Sequence, residues 1–160
     1  MHFRNLRAEE LEGSVDIPGL NDWLRSVGAT DAAVLILAPP GTGKAAAVGR
    51  LAHRLGRDVL ICNLMELYDY DDPQHQLENL LRLCEVQKQS VIYLDKLDKA
   101  LTHRSQTGQD GSSLAATLEK WLAGSKQQLL EDECTLAFTG RERGAVPEGL
   151  VRRFDKVLAA

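Results

Sequence analysis

Apolar and polar residues follow two patterns along the chain. Short, largely apolar runs predict strands buried within a sheet, over 32–38, 58–64, 90–98, 133–140 and 152–159. Between them, apolar residues recur at helical spacing, which predicts helices over 19–28, 43–56, 73–87 and 111–124. Gly124 is predicted to end the last of these helices. Because strands and helices alternate, the pattern predicts an α/β fold in three layers, with a parallel sheet of about five strands and helices on both faces.

Length and composition indicate one globular domain. The chain has 160 residues, of which 44% are hydrophobic and 26% charged, with a formal net charge of -4. That charge argues against a nucleic-acid partner. No apolar run reaches the ~18 residues of a membrane span, and residues 1–13 are charged, extended or loosely helical, without a signal core. Three cysteines without metal-like spacing indicate free thiols and a cytoplasmic protein.

A glycine-rich segment, PPGTGK (39–44), lies between a predicted strand and a predicted helix. In that context small residues let backbone N–H groups surround phosphate oxygens, and the helix N-terminus adds partial positive charge. Lys44 is predicted to reach the β- and γ-phosphates. Ala38 and Ala45 depart from the usual phosphate-loop pattern, and Ala45 lacks the hydroxyl that binds Mg²⁺. The alternative is a Pro/Gly turn that happens to precede a helix.

An acidic motif, VIYLDKLDKA (91–100), ends the third predicted strand. Asp95 stands where P-loop ATPases hold the Mg²⁺ shell, or it is simply an acid that ends a buried strand. Lys96 follows, where many such enzymes have a Glu that activates water. An ammonium group has no acceptor and cannot serve as that base. Asp98 is either a substitute base or a cap for the following turn.

Together these motifs resemble the AAA branch of the AAA+ superfamily over about residues 12–159. VDIPGLNDWL (15–24) is similar to the segment that opens such domains, and CTLAFTGRERGAVPEGLVRRFDKVL (134–158) to the region of sensor 1 and the arginine fingers. The resemblance implies ATP or ADP as ligand, bound by Asp16, Ile17, Pro40, Gly41, Thr42, Gly43, Lys44, Ala45 and Asp95. It implies weakly held Mg²⁺ with Asp95 as its protein ligand, and it places Arg152 and Arg153 at the position of trans-acting arginine fingers. The alternative for these two arginines is a pair of solvated surface residues.

Several positions depart from the family pattern. Ala45 replaces the Mg²⁺-binding hydroxyl and Lys96 the catalytic Glu. Gly140 falls where the sensor Asn is expected, with Thr139 beside it as a weak substitute. The chain stops at Ala160, before the helical lid that usually follows. We therefore expect a core over 14–160 after an N-terminal extension over 1–13, without a lid, and hydrolysis that is very slow or absent.

The segment ELYDYDDP (66–73) falls where AAA unfoldases carry an aromatic pore loop. Tyr68 or Tyr70 would occupy that place. The alternative is an acidic surface loop with two tyrosines.

Three functions are compatible with these motifs. The first is a degenerate AAA module that binds ATP or ADP weakly or with impaired hydrolysis, or is purely structural, and acts as a regulatory or assembly subunit in a homo-oligomer or with another protein. The second is a slow ATPase that is active only in an oligomer or with a partner. The third, a small metabolite kinase, would need a substrate pocket and an acceptor base, and the sequence indicates neither.

Overall fold

The computed structural model describes residues 3–27, 31–103 and 111–160, with only the backbone described at residues 111 and 112. The strands are β1 (Arg4–Leu6), β2 (Ala33–Leu37), β3 (Asp58–Asn63), β4 (Ser90–Asp95), β5 (Thr135–Gly140) and β6 (Lys156–Ala159). The α-helices are α1 (Leu20–Ser26), α2 (Lys44–Leu55), α3 (Pro73–Glu85), α4 (Leu97–Thr102), α5 (Gly111–Glu131) and α6 (Glu148–Val151). Short 3₁₀ helices cover Ala8–Leu11, Leu64–Asp69 and Arg143–Ala145.

The strands form one sheet in the order β1-β3-β4-β5-β2-β6. Strands β2 to β6 run parallel, as predicted. The sheet has six strands rather than about five, because Arg4–Leu6 pairs antiparallel with β3 along residues 59–61. A three-residue edge strand of mostly exposed residues leaves no apolar run in the sequence, so only the pairing reveals it.

Helices cover both faces of the sheet, and the strands divide their side chains between them. On β2, Leu35 and Leu37 belong to the cluster beneath α3, α4 and α5, whereas Val34 and Ile36 belong to the cluster beneath α1 and α2. Since successive side chains of a strand point to opposite faces, this division is the expected result of burial on both sides. The predicted three-layer α/β fold is thus confirmed.

Helix α5 is longer than predicted. Gly124 does not end it, and the helix continues to Glu131. A glycine inside a helix costs about 1 kcal/mol relative to alanine. Leu122 and Leu129, buried on either side of Gly124 within the same cluster, outweigh that cost because each buried leucine contributes roughly 1.5–3 kcal/mol.

Strand β4 is shorter than predicted. It ends at Asp95, Lys96 adopts a left-handed conformation with φ 64°, and α4 begins at Leu97. Leu97, Ala100 and Leu101 are all buried, and their helical spacing turns them toward the core together. The acidic motif therefore spans a strand end, a sharp turn and a helix start.

All three cysteines are buried free thiols, as the sequence predicts. Burial, with a smaller contribution from Glu66, raises the pKa of Cys62 to about 12, and burial also raises the pKa of Cys134. The thiols are therefore poor nucleophiles at neutral pH. Across the described ranges, no helix is long and apolar enough to cross a membrane.

Candidate nucleotide-binding site

The glycine-rich loop joins the carboxyl end of β2 to the N-terminus of α2. Gly41 and Gly43 both adopt left-handed conformations, with φ of 83° and 90°. A Cβ atom on Gly43 would lie 2.0 Å from the backbone oxygen of Ser14, so this position requires glycine for space as well as for conformation. The hydroxyl of Thr42 donates to the carbonyl of Pro39 at 2.7 Å and closes the turn. The loop and the first turn of α2 therefore form an anion-binding geometry.

Lys44 is anchored inside this loop. Its Nζ donates to the carbonyl oxygens of Ala38 at 2.8 Å and Gly140 at 3.2 Å, which bridges the ends of β2 and β5. The Ala38 amide also donates to the Gly140 carbonyl at 3.0 Å. The ammonium group thus lies at the carboxyl edge of the sheet, where the loop brings its backbone amides.

Burial lowers the pKa of Lys44, against the opposing effect of the Asp95 and Asp98 carboxylates. The positive charges of Arg141 and Lys99 lower this pKa further. An incoming phosphate would reverse this balance, because an anion stabilises the protonated amine. The local electrostatics therefore favour an anionic ligand at Lys44.

Asp95 lies at the end of β4 and is held by two donors. Its Oδ1 accepts hydrogen bonds from the Thr139 hydroxyl at 2.8 Å and from the Lys96 amide at 2.9 Å. Thr139, predicted as a weak sensor substitute, is fully buried, and its hydroxyl contacts the Asp95 carboxylate directly. The fold brings these two strand ends together although they are 44 residues apart in sequence.

Ala45 and Lys96 flank the same cavity without offering an oxygen atom from their side chains. Ala45 is exposed in the first turn of α2, and Lys96 is half-buried at the turn between β4 and α4. Residue type therefore sets which chemistry each of the two positions can offer.

Asp98 makes contacts that the sequence did not predict. Its side chain is 5% exposed in the first turn of α4, and Oδ2 accepts the amides of Arg141 at 3.0 Å and Glu142 at 3.2 Å. It therefore caps the turn after β5 and not the turn after β4. A Cβ atom on Gly140 would lie 2.9 Å from Asp98 Oδ1, so Asp98 explains why glycine occupies the position where a sensor asparagine is expected.

The segment before α1 packs against the loop. The Asp16 amide donates to the Thr42 carbonyl at 2.8 Å, and Asp16 itself is exposed. Ile17 is buried in the cluster beneath α1 and α2. The structure thus ties the backbone at Asp16 to the phosphate loop, with Ile17 packed beneath α1 and α2.

Arg152 and Arg153 lie at the opposite edge of the sheet. Both are exposed after α6, and β6 begins only at Lys156, so the predicted strand over 152–159 is shorter than expected. Lys156 pairs with Val34 near the start of β2, whereas the phosphate loop follows the end of β2. The structure therefore does not bring these arginines to the phosphate loop of their own chain.

The two tyrosines of the predicted pore segment differ in environment. The Tyr68 hydroxyl donates to the Ala100 carbonyl, and its ring lies 3.9 Å from the His103 ring, centroid to centroid. Tyr70 is 40% exposed. Tyr68 is therefore part of the packing between the 3₁₀ helix at Leu64–Asp69 and α4, and Tyr70 is the more accessible of the two.

A cavity of about 360 Å³ lies between the loop and the strand ends. It is lined by Pro40, Gly41, Gly43, Lys44, Ala45, Tyr93, Asp95, Lys96, Asp98, Lys99, Gly140 and Arg141. Sequence analysis missed Tyr93, Lys99 and Arg141 as lining residues. Two features of the sequence could have revealed two of them. Tyr93 lies two residues before Asp95 and so shares its strand face, and Arg141 directly follows β5 at the same carboxyl edge of the sheet.

A larger cavity of about 560 Å³ lies across the outer side of α2, away from the loop amides and Asp95.

Residues 34–160 match the family described as "ATPase family associated with various cellular activities (AAA)". No curated protein sequence gives a significant match to the chain. Among solved structures, the chain is similar to a crystal structure of the FIGL-1 AAA domain in complex with ADP, with a TM-score of 0.69 and 16% identity. The similarity covers 99% of this chain and 57% of that one, so this chain spans little more than half of that length. At this identity the likeness concerns the fold.

Proposed function

Because this chain belongs to the AAA family of ATPases, we propose that it is a degenerate AAA module that binds ATP or ADP but hydrolyses ATP very slowly or not at all. It acts as a regulatory or assembly subunit. One observation carries the proposal: a single cavity combines the phosphate loop and Lys44 with two positions, Ala45 and Lys96, that lack side-chain oxygens.

The binding half of the proposal rests on the loop. Left-handed Gly41 and Gly43 and the anchored ammonium of Lys44 supply the amides and charge that a phosphate needs. The similar FIGL-1 domain was crystallised with ADP, which supports an adenine nucleotide as the ligand. The backbone at Asp16 and Ile17 is then the expected neighbour of the base.

The hydrolysis half rests on side chains. A water attacking a γ-phosphate needs an acceptor, and Lys96 has three donors and no acceptor. Asp98, the predicted substitute base, is buried, and its Oδ2 already accepts two backbone amides in the turn after β5. This commitment favours the degenerate module over the alternative, a slow ATPase that is active only in an oligomer or with a partner.

The assembly role rests on Arg152 and Arg153. They are exposed at the sheet edge opposite the loop, which suits contact with a neighbouring subunit and not with their own nucleotide. Arginines in such a position stabilise charge on a phosphoryl group that another chain binds. The partner is a second copy of this chain or another protein of the same architecture.

The nucleotide proposal is tested by titrating the chain with a fluorescent ATP analogue and competing it with ATP and ADP. We expect Lys44→Met to lower the affinity by about 10²-fold, because charge-assisted hydrogen bonds to phosphate are lost. Lys120→Met, at an exposed position on α5, is the matched control and should change nothing. Equal affinities for Lys44→Met and the control would contradict the proposal.

The assembly proposal is tested by sedimentation velocity with and without ATP. A nucleotide-dependent increase in sedimentation coefficient that the Arg152→Ala/Arg153→Ala variant loses would support contact between copies. A variant that assembles like the natural chain would show that these arginines do not reach a neighbour's site.

A further inference from the structure

The cavity at the phosphate loop does not fit a tightly held Mg²⁺ ion. Mg²⁺ requires six oxygen ligands in near-octahedral geometry, and Ala45 offers none. The Oδ1 atom of Asp95 already accepts hydrogen bonds from Thr139 and from the Lys96 amide. The described part of the chain contains no group of three or more His, Cys, Asp or Glu side chains that could hold a metal.

The same cavity carries an excess of positive charge. Its lining includes four cationic side chains, Lys44, Lys96, Lys99 and Arg141, and two acidic ones, Asp95 and Asp98. Both carboxylates have oxygen atoms engaged with donors of the chain itself. With four cations against two carboxylates in the lining, a dication entering here would meet net repulsion.

Lys96 is positioned in this cavity at some cost. It adopts φ 64°, a left-handed conformation that is unfavourable for a residue other than glycine. Its own amide bonds to Asp95, so the turn that carries its side chain is tied to the strand end beside the loop. The backbone that carries Lys96 is therefore fixed at the cavity wall.

From this arrangement we propose that the site takes the metal-free nucleotide, ATP⁴⁻ or ADP³⁻, with the Lys96 ammonium supplying the positive charge that Mg²⁺ supplies in metal-dependent sites. The inference rests on the proposed nucleotide binding and adds which ionic form of the nucleotide the site binds. Mg²⁺ then competes with the protein for the nucleotide, because the Mg²⁺–nucleotide complex carries less negative charge and places a dication next to Lys96.

The test is isothermal titration calorimetry of the full chain with ATP, in excess EDTA or in excess MgCl₂, at matched ionic strength. An affinity in EDTA that exceeds the affinity in MgCl₂ supports the inference. An equal or higher affinity in MgCl₂ overturns it and leaves nucleotide binding intact. No binding in either buffer overturns the proposed function itself, and this inference with it.

Two variants test the assignment to Lys96. We expect Lys96→Met to lower the affinity in EDTA by about tenfold, the loss of one close charge interaction. Lys96→Glu should go further and make binding stronger in MgCl₂ than in EDTA. Lys120→Met should leave both affinities unchanged, and thermal unfolding establishes that each variant is folded. An unchanged affinity of Lys96→Met in EDTA would show that Lys96 is not the substituting cation.

Discussion

The two halves of the candidate site depend on different parts of the chain, one on the backbone and the other on side chains. The phosphate-loop half consists of backbone: two left-handed glycines, amides at a helix start and a lysine held by carbonyl oxygens. The metal-and-water half, where Ala45 and Lys96 lie, depends on side chains that are exposed or half-buried. The comparison teaches that backbone conformation sets the phosphate-loop half, whereas residue type decides which chemistry the other half can offer.

Among the substitutions that test this comparison, the largest loss of stability is expected at Gly43. Gly43→Ala places a Cβ atom 2.0 Å from the Ser14 oxygen in a backbone with φ of 90°, so strain and steric overlap add. We expect a loss of roughly 2–5 kcal/mol in the free energy of unfolding, and loss of nucleotide binding. Urea unfolding and nucleotide titration measure the two effects.

Gly41→Ala is the matched control for that change. Gly41 has φ of 83°, but a Cβ atom there would meet nothing within 4 Å, so strain acts without overlap. We expect a cost of about 1–2 kcal/mol. Equal costs at the two glycines would show that the contact with Ser14 contributes nothing to the loop.

The next effect concerns the side-chain half. Lys96→Glu combined with Ala45→Thr restores an acceptor and a hydroxyl at the rim. We expect MgCl₂-dependent phosphate release to rise by about 10²-fold over the natural chain, the lower range for a positioned general base. Steady-state phosphate assays on both single variants and the double variant separate the contributions.

Two outcomes of that experiment would contradict the division into halves. Rapid release by the natural chain would favour the slow-ATPase alternative or a faster enzyme. No release by a folded double variant that binds ATP would show that the site lacks more than these two side chains.

A smaller effect is expected at Gly140. Gly140→Asn supplies the expected sensor residue but pushes its Cβ against Asp98, whose Oδ1 lies 2.9 Å away. We expect a loss of about 1–3 kcal/mol in the free energy of unfolding. Gly124→Ala, in a helix with open space at Cβ, is the opposite case and should stabilise by up to about 1 kcal/mol. Stabilisation by Gly140→Asn would mean that Asp98 does not constrain this turn.

The smallest effect is a loss of stability in alkali. Burial raises the pKa of Cys62 from its ordinary 9.0 to about 12, and burial beside Asp95 raises the pKa of Tyr93 to about 12. Above pH 9 the unfolded thiol loses its proton while the folded thiol keeps it, so the free energy of unfolding falls as pH rises toward 12. Cys62→Val should make this fall less steep in urea titrations under reducing conditions. An unchanged slope would contradict the assignment to Cys62.

Much of the fold follows from local pattern. The apolar runs around Leu35 and Ile92 predicted buried parallel strands, and PPGTGK between strand and helix predicted the loop at Gly43 and Lys44. The pattern failed where local preference and packing disagree. Gly124 predicts a helix end, but the leucines on either side of it keep α5 helical, and the apolar run through Leu97 hides a strand end followed by a helix.

The sequence by itself determined which chemistry the rim can offer, because residue type alone decides that Ala45 and Lys96 carry no oxygen acceptor. It also determined the left-handed loop, since glycine is needed where the backbone must turn this way. Only the tertiary structure decided the contacts of Asp98 and Thr139, because their partners lie 43 or 44 residues away. It likewise separated Arg153 from the loop, since strand direction and order, which depend on packing across the whole sheet, set the edge at which each residue lies.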